Sequence, residues 1–485
     1  MKLHLSVLLL LLSSFLCAQN SQKFFEKYEQ FKEPTITHRR FKHKDIQPLI
    51  NRLKSDPQFR VKKVGASVEG RDIHLISVGS GKTDVLLWSQ MHGDEPTATM
   101  ALMDIFNFLS RQNEFEDVKK ILKKELTLHF IPMLNPDGAE RFQRRNALGV
   151  DLNRDALRLQ NPESQILKMV RDSLNAEWGF NLHDQSRYYS AGKNAETASI
   201  SFLAPAYNYE KSVNEVRKNA MRLIGVMDNV LQKYIPKKTA RYSDEFEPRA
   251  FGDNITKWGT STILIESGGL ENDPEKQYLR KLHFVILLTA FQAIANKSYL
   301  NTGVDVYQRL PYNKFGAFND LTLRKVNLVK NGRTYILDIA FRQNEMDVKG
   351  NTDFYYNAAI VDIGDLSTSY SYEELDASVY NLGFGKIYPE TIDNTGVLKK
   401  MDLLDLLGKG YLYFRLKNLP AKPEADQLPF TLLEIDEQVD YEIGMGKNPS
   451  LLLSKNEVVE KFVVNGLLFD LKNDEERIRQ LIIGL

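Results

Sequence analysis

Four side chains that could build a catalytic metal site each follow an apolar run of the chain. They are His92 and Glu95 after "DVLLWSQM", His183 after "GFNL" and Glu266 after "TILI". Two histidines and a glutamate form a three-ligand set used by catalytic zinc, with the fourth position left for water. A further glutamate at the end of an apolar run is costly without a polar partner, and a metal-bound water is such a partner. These residues therefore predict a hydrolytic zinc site.

The other histidines outside the first few residues have different surroundings. His129 and His283 lie within apolar runs, so we expect them to be packed, while His38 and His43 lie in a polar segment. His74 belongs to an alternating stretch, "GRDIHLISVG", and we expect it at the surface. None of these five directly follows an apolar run that ends a strand. The two histidines that do are the better metal ligands.

The elements that must position these residues alternate between strand and helix. From residue 84 to about residue 300 the pattern predicts a mixed, mainly parallel α/β sheet flanked by helices. The active groups of such sheets gather at the carboxyl ends of the strands, where the four residues stand. Between His92 and Glu95, we expect Gly93 to let the backbone turn, and Pro96 to help start the following helix.

Composition indicates a globular protein without a charged partner. The 485 residues are 42% hydrophobic and 26% charged, and the net charge is +1. A near-neutral chain gives no support to nucleic-acid binding or to a polybasic membrane contact. We therefore expect no nucleic acid among the partners, and the length predicts two or three domains.

The first 18 residues have the pattern of a signal peptide. The apolar run from Leu5 to Leu16 is too short for a membrane span, which needs ~20 residues, and Ala18 is a suitable cleavage site. We therefore expect a secreted or periplasmic protein and see no later membrane span. A lipid anchor at Cys17 is the alternative, but Leu16 is a poor residue before a lipidated cysteine.

Three further regions follow this segment. Residues 19–60 read as a polar, partly helical leader, and residues 61–300 as the strand–helix region that carries the candidate site. Residues 301–485 change to short alternating runs such as "RTYILDIAF", which predict a smaller β-rich accessory domain. That domain could dock a partner, shield the mouth of the site or bind carbohydrate, and its partner stays unknown.

The ordered motifs of residues 60–300 resemble those of zinc metallocarboxypeptidases of the carboxypeptidase A type. They are, in chain order, "VGASVEGRDI", "HGDE", "NPDG", "RRNALGVDLNRD", "NLHD" and "ILIESGG". The resemblance implies a carboxypeptidase-like fold and one zinc ion per chain. It makes His92, Glu95 and His183 the zinc ligands and Glu266 the general base.

The resemblance also implies roles for the residues of "RRNALGVDLNRD". Asp151 would hold the far ring nitrogen of His92. Asn153 and Arg154 would bind the terminal carboxylate of the substrate, since a guanidinium meets a carboxylate at two points. Arg144 would stabilise the oxyanion, and Arg145 is the alternative register for this contact with the substrate.

One departure from the family concerns a mobile tyrosine about 22 residues before the catalytic glutamate. Here that position is Asp244, and Tyr242 lies close by. The same segment should line the specificity pocket. Phe251 facing the pocket would favour apolar side chains, and Asp253 would favour basic ones; the sequence leaves both open.

The resemblance implies a zinc carboxypeptidase that removes the C-terminal residue of peptides bearing a free terminal carboxylate, and the predicted signal peptide makes it a secreted one. The first alternative keeps the fold and makes the protein a zinc deacylase of N-acyl amino acids. The second alternative is a non-catalytic binding protein with a retired site, which the complete set of ligands and the base argues against.

Overall fold

The structure, a computed structural model, describes residues 20–348 and 350–484. The predicted signal peptide and Cys17 lie outside the described residues. The chain divides into two compact units, one ending at Phe315 and the other starting at Gly316. The first unit contains every candidate site residue.

A mixed eight-stranded sheet forms the centre of the first unit. Its strand order is β1-β2-β4-β3-β5-β9-β7-β8, in which β3 pairs in parallel with β4 and β5, and β5 with β9. The pairs β1–β2, β2–β4 and β7–β9 are antiparallel. The prediction of a mixed, mainly parallel sheet is therefore confirmed. The strands of this unit, including the two-stranded ribbon β6–β10, are β1 (Phe59–Ala66), β2 (Asp72–Gly79), β3 (Thr83–Ser89), β4 (Leu126–Ile131), β5 (Trp178–Asp184), β6 (Tyr189–Ala191), β7 (Ile200–Leu203), β8 (Thr239–Arg241), β9 (Ser261–Ser267) and β10 (Asn313–Phe315).

Helices cover both faces of this sheet. On β3, Val85 and Leu87 belong to one apolar cluster, and Leu86 and Trp88 to another, as the two-residue period of a strand requires. The helices are α1 (residues 20–27), α2 (His43–Lys54), α3 (Thr97–Ser110), α4 (Glu116–Glu125), α5 (Pro136–Arg141), α6 (Pro162–Leu174), α7 (Glu215–Leu231), α8 (Phe251–Lys257), α9 (Gln277–Ala295) and α10 (Val304–Arg309).

Helix α9 is long and apolar enough, by length and composition, to cross a membrane. However, 78% of its most apolar window is buried inside the structure, and its side chains belong to the larger apolar cluster. Burial of this kind is typical of the core helix of a globular unit.

The leader packs into the first unit. Phe24, Tyr28 and Phe31 are fully buried in the larger apolar cluster. A buried ion pair lies beneath them, because Arg280 Nε donates to Asp104 Oδ2 at 2.7 Å and the Tyr28 hydroxyl donates to the same oxygen at 2.8 Å. The leader is thus part of the core.

The second domain was predicted to begin at residue 301, whereas the compact division lies after Phe315. The intervening residues add α10 and β10 to the first unit. Tyr307 and Leu310 join its larger apolar cluster, and β10 pairs with β6. A change of sequence character marked the end of the strand–helix alternation but missed these two short elements.

The second unit is rich in strands. Its larger sheet has the order β13-β12-β11-β15-β19-β20-β21, with β14 beside β11, and β16, β17 and β18 form a smaller sheet. The elements are β11 (Phe318–Lys330), β12 (Arg333–Asp347), β13 (Phe354–Gly364), β14 (Tyr370–Asp376), β15 (Asn381–Phe384), β16 (Lys386–Ile387), α11 (Thr395–Leu398), α12 (Leu403–Gly408), β17 (Tyr411–Arg415), α13 (Lys422–Ala425), β18 (Thr431–Leu433), β19 (Leu451–Lys455), β20 (Val458–Val464), β21 (Leu467–Asp470) and α14 (Glu475–Gly484).

Candidate metal centre

The turn between β3 and α3 carries His92 and Glu95. Strand β3 ends at Ser89, and Gln90 then adopts a left-handed conformation with φ of 44°, which breaks the strand. The Glu95 amide donates to the His92 carbonyl at 3.2 Å, so a tight turn brings the two side chains to one side. Pro96 is the N-cap residue of α3.

Gly93 is a glycine because another backbone segment lies against it. A Cβ at this position would lie 2.0 Å from the Gly138 carbonyl carbon and 2.2 Å from the Ala139 nitrogen. The expectation that Gly93 serves to turn the backbone was therefore wrong about the cause. Close approach of α5, rather than a special backbone conformation, excludes a side chain here.

His183 and Glu266 lie side by side on neighbouring parallel strands. His183 on β5 is the direct register partner of Glu266 on β9. Residues in register on parallel strands point to the same face of a sheet, so both side chains project on one side. The strand termini thus bring the second histidine and the second glutamate together.

The side chains of His92, Glu95 and His183 converge on one point. Each offers a ligand atom, and these atoms all lie within 4.8 Å of one another. His183 Nδ1 lies 2.6 Å from Glu95 Oε2 and 3.1 Å from His92 Nδ1, and His92 Nδ1 lies 2.8 Å from Glu95 Oε1. Two ring nitrogens and a carboxylate facing each other fit a bound zinc ion well.

Asp151 and Arg144 support this cluster from the loop that follows α5. Asp151 Oδ1 lies 3.1 Å from His92 Nε2, on the side of the ring that faces away from Glu95. Arg144 donates to Asp151 Oδ2 through Nε at 3.1 Å and Nη2 at 3.0 Å, and its Nη1 donates to Glu95 Oε1 at 3.2 Å. Arg145 instead donates to the Gly149 carbonyl at 3.0 Å. Arg144 is thus the arginine that the structure brings to the cluster.

Burial and charge shift the pKa values at this site in different directions. Burial opposes the charged form of His92, but the carboxylates of Glu95 and Asp151 outweigh it and raise the pKa to about 9. Burial, together with the negative charge of Glu95, raises the pKa of Glu266 well above its usual value. Glu266 is therefore a carboxyl group that holds a proton more readily than an exposed glutamate does.

Asn153 and Arg154 lie further along the same loop, and Arg154 faces a carboxylate of the chain. Arg154 Nε lies 3.5 Å from Glu247 Oε2, and Arg249 holds both oxygens of Glu247 at 2.9 Å and 2.8 Å. The Arg154 side chain is 40% exposed, so it is less buried than a deep carboxylate-binding arginine would be. Asn153 Oδ1 accepts from the Phe251 amide at 2.8 Å and fixes the start of α8.

The structure buries both candidates for the specificity pocket. Phe251 is fully buried in the apolar cluster that contains Trp88 and Met91, so its ring is part of the core. Asp253 is buried beside the loop that carries Glu247, whose amide donates to Asp253 Oδ1 at 3.1 Å. Burial raises the pKa of Asp253 to about 7. Both candidates are thus buried, and the choice between an apolar and a basic preference stays open.

Asp244, at the position of the mobile tyrosine, pairs with an arginine of α7. Its Oδ2 accepts from Arg217 Nη2 at 2.6 Å. Tyr242 is oriented differently: burial, a hydrogen bond with Tyr189 and the nearby charge of Glu266 all raise its pKa. Tyr242 is therefore the tyrosine of this segment whose phenol responds to the charge of Glu266.

Two further residues of the site were missed by the sequence analysis. Lys276 Nζ donates to Asp184 Oδ2 at 3.1 Å and to the Ser267 carbonyl at 3.0 Å, which joins the residues that follow His183 and Glu266. Glu247 lies in a loop of many charged residues, and neither its position nor that of Lys276 follows an apolar run. No pattern in the sequence separates them from other surface charges.

Comparisons with known proteins point to one family. Residues 46–214 match the family model Peptidase M14, zinc carboxypeptidase. Carboxypeptidase SOL1 of Arabidopsis thaliana is 27% identical over 180 residues, which cover 31% of this chain and 36% of that protein. Cytosolic carboxypeptidase 6 of Mus musculus is 27% identical over 168 residues, covering 31% of this chain and 30% of that protein. The matched segments thus span about a third of the length of these relatives.

A solved structure shows a weaker similarity. The metallo-carboxypeptidase from Burkholderia cenocepacia is 17% identical, with a TM-score of 0.44 over 53% of this chain and 70% of that chain. The family match covers the strand and turn that hold His92 and Glu95, the loop with Arg144 and Asp151, and the strand of His183. Residues 46–214 of the first unit are therefore similar to the zinc carboxypeptidase domain of the Peptidase M14 family.

Proposed function

We propose that this protein is a zinc-dependent carboxypeptidase that removes the C-terminal residue from peptides with a free terminal carboxylate. The observation that carries this proposal is the convergence of His92, Glu95 and His183, with Glu266 in register beside His183. Three protein ligands leave one coordination position for water or substrate, as in catalytic zinc sites. We expect one ion per chain, because the described residues contain one such cluster.

A zinc ion held by the three ligands would act as a Lewis acid and lower the pKa of water. Glu266 takes a proton from the attacking water and passes it to the nitrogen of the leaving residue. Its raised pKa suits a group that must both accept and release a proton. Arg144 directs its guanidinium towards the ligands and is placed to donate to the oxygen on which negative charge develops. Asp151 fixes the ring orientation of His92.

The terminal carboxylate of the substrate would bind at Arg154 and Asn153. Support comes from Glu247, because a carboxylate already lies 3.5 Å from Arg154 Nε. Since Arg154 is 40% exposed, the contact is partly screened, and we expect the free acid of a peptide to be cleaved about tenfold better than its amide. If Asp253 faces the bound terminal side chain, its ionised form would favour a basic residue, and burial raises the pKa of Asp253 to about 7, so this preference would strengthen as the pH rises through that value.

Mass-spectrometric profiling of a peptide library tests the reaction and the residue preference together. Stepwise loss of C-terminal residues supports the proposal, whereas cleavage at internal bonds of acid and amide alike makes the protein an endopeptidase. Release of acyl groups from N-acyl amino acids, with peptides left intact, identifies the deacylase. Glu266→Gln should keep fold and zinc but lose nearly all turnover, because the amide cannot accept a proton.

We also propose that the enzyme is exported, on the basis of the first 18 residues alone. Fractionation of the producing cells, with N-terminal sequencing of the recovered protein, tests this. A mature chain that starts after Ala18 supports export of a free protein. A mature chain that starts at a lipidated Cys17 would instead show export with a lipid anchor.

A further inference from the structure

Three aromatic rings contact one another in turn, with Tyr189 between Tyr242 and Phe315. The ring centroids of Tyr242 and Tyr189 are 6.0 Å apart, and those of Tyr189 and Phe315 are 5.1 Å apart. The hydroxyls of Tyr242 and Tyr189 share a hydrogen bond of 3.1 Å. We call Tyr242, Tyr189 and Phe315 the aromatic ridge.

The inner end of the ridge is part of the catalytic cleft. Tyr242 directly follows β8, its amide donates to the Phe202 carbonyl at 2.8 Å, and Ser201, the residue before Phe202, is the register partner of Glu266. The hydrogen bond to Tyr189 fixes the direction of this phenol. A molecule bound at the zinc ligands would therefore meet the ridge first at Tyr242.

The outer end of the ridge is solvent-exposed but rigidly held. Phe315 on β10 pairs directly with Tyr189 on β6, and its side chain is 62% exposed. The neighbouring Asn313 Nδ2 donates to Gln185 Oε1 at 2.8 Å, and Gln185 lies two residues after His183. The strand that displays Phe315 is thus tied to the same segment as a metal ligand.

A large exposed aromatic side chain contributes little to folding, yet rigid aromatic surfaces bind apolar groups well. We propose that the aromatic ridge binds apolar side chains of the substrate on the N-terminal side of the cleaved bond. This inference rests on the proposed carboxypeptidase function. The preferred substrate would then be a peptide with large aliphatic or aromatic residues before its C-terminal residue.

The length of the ridge decides which substrate residues it contacts. An extended peptide advances ~3.4 Å per residue, whereas each step between neighbouring rings of the ridge is longer than 5 Å. A carboxypeptidase has one residue beyond the cleaved bond, and its carboxylate would lie at Arg154. We therefore expect the three rings together to contact more than one substrate residue, including residues before the cleaved bond.

The test compares two peptides with the same C-terminal residue, preceded by Leu-Phe in one and Gly-Gly in the other. Binding is measured to the Glu266→Gln variant and turnover to the active enzyme. We expect the Leu-Phe peptide to bind at least about fivefold more tightly and to be cleaved with a correspondingly higher kcat/KM. Phe315→Ala should remove most of this preference, and Phe315→Leu should keep part of it.

Ile121→Ala serves as the control, since Ile121 is an exposed apolar residue of α4, and this variant should keep the full preference. Equal binding of the two peptides, or a preference that survives Phe315→Ala, overturns the role of the ridge. A binding preference without any cleavage would leave the ridge in place and reject the carboxypeptidase function instead. The two ideas can therefore fail separately.

Discussion

Arg154 faces Glu247, with Nε and Oε2 3.5 Å apart, so the arginine assigned to the substrate carboxylate already has a carboxylate partner. Glu247 does not depend on this contact, because Arg249 holds both of its oxygens. A substrate carboxylate must therefore share or displace Glu247, while Glu247 keeps its second arginine. On the proposed role of Arg154, Glu247 in the loop between β8 and α8 would thus compete with the terminal carboxylate of the substrate for Arg154.

Replacing Glu247 should strengthen the binding of peptide acids. In Glu247→Gln the competing charge is removed, so we expect KM for a free-acid peptide to fall about threefold, with kcat nearly unchanged. Steady-state kinetics on a peptide and its C-terminal amide measure this. Glu245→Gln, in the same loop and more exposed, is the matched control. An equal change for acid and amide would show that Glu247 does not compete with the carboxylate.

Removal of one ligand should empty the metal centre. We expect His183→Ala to lose zinc, because two remaining ligands rarely hold the ion, while His38→Ala in the exposed part of the leader keeps it. Metal analysis of the purified variants, with circular dichroism to check folding, decides the matter. A folded His183→Ala protein with full zinc content would remove His183 from the ligand set.

Lys276 should act on the rate through the residues it joins. In Lys276→Met the Asp184 carboxylate loses its cationic partner. Its uncompensated negative charge then acts on His183, its neighbour in the chain, and on Glu266. We therefore expect kcat to fall about tenfold with KM retained. Lys276→Arg should recover part of the rate. Lys124→Met on α4 changes an exposed lysine and should have no effect. A wild-type kcat in Lys276→Met would contradict this role.

The buried pair of Arg280 and Asp104 should be important for stability. Both side chains are fully buried, so Arg280→Met leaves an unpaired charge and should lower the free energy of unfolding by ~3–5 kcal/mol. Arg309→Met breaks an exposed pair with Asp305 and should change it by less than ~1 kcal/mol. Urea unfolding of the two variants provides the comparison. Similar losses of unfolding free energy in both variants would show that burial does not determine how much an ion pair contributes to stability.

The main strands and helices follow from the sequence because their apolar runs are long and periodic. Strand β3 and helix α3 appear where "DVLLWSQ" and "TATMALMDIFNFLSRQ" predict them. Strands β7 and β8 have four and three residues, too few for a periodic signal. The pairing of β7 with β9 and of β8 with β7, rather than a pattern of their own, defines their place. Short elements of this kind depend on tertiary contacts.

Some residues of the site likewise cannot be predicted from a local sequence pattern. A residue directly after an apolar run stands out, and this applies to His92, His183 and Glu266. Contacts between distant loops leave no such mark, as with the Arg154–Glu247 pair. His74, expected at the surface, is 3% exposed, because a strand's alternation does not tell which face another segment covers.

The leader's aromatic residues have a consequence for maturation. Phe24, Tyr28 and Phe31 are as much a part of the core as the helices that surround them, and Arg280 donates to the Ile36 carbonyl at 2.6 Å. A proteinase that cut within residues 24–42 would remove buried apolar surface rather than uncover a blocked cleft. We therefore expect excision of this segment to destabilise the first unit, whereas removal of an activation peptide would leave a folded domain with an open cleft.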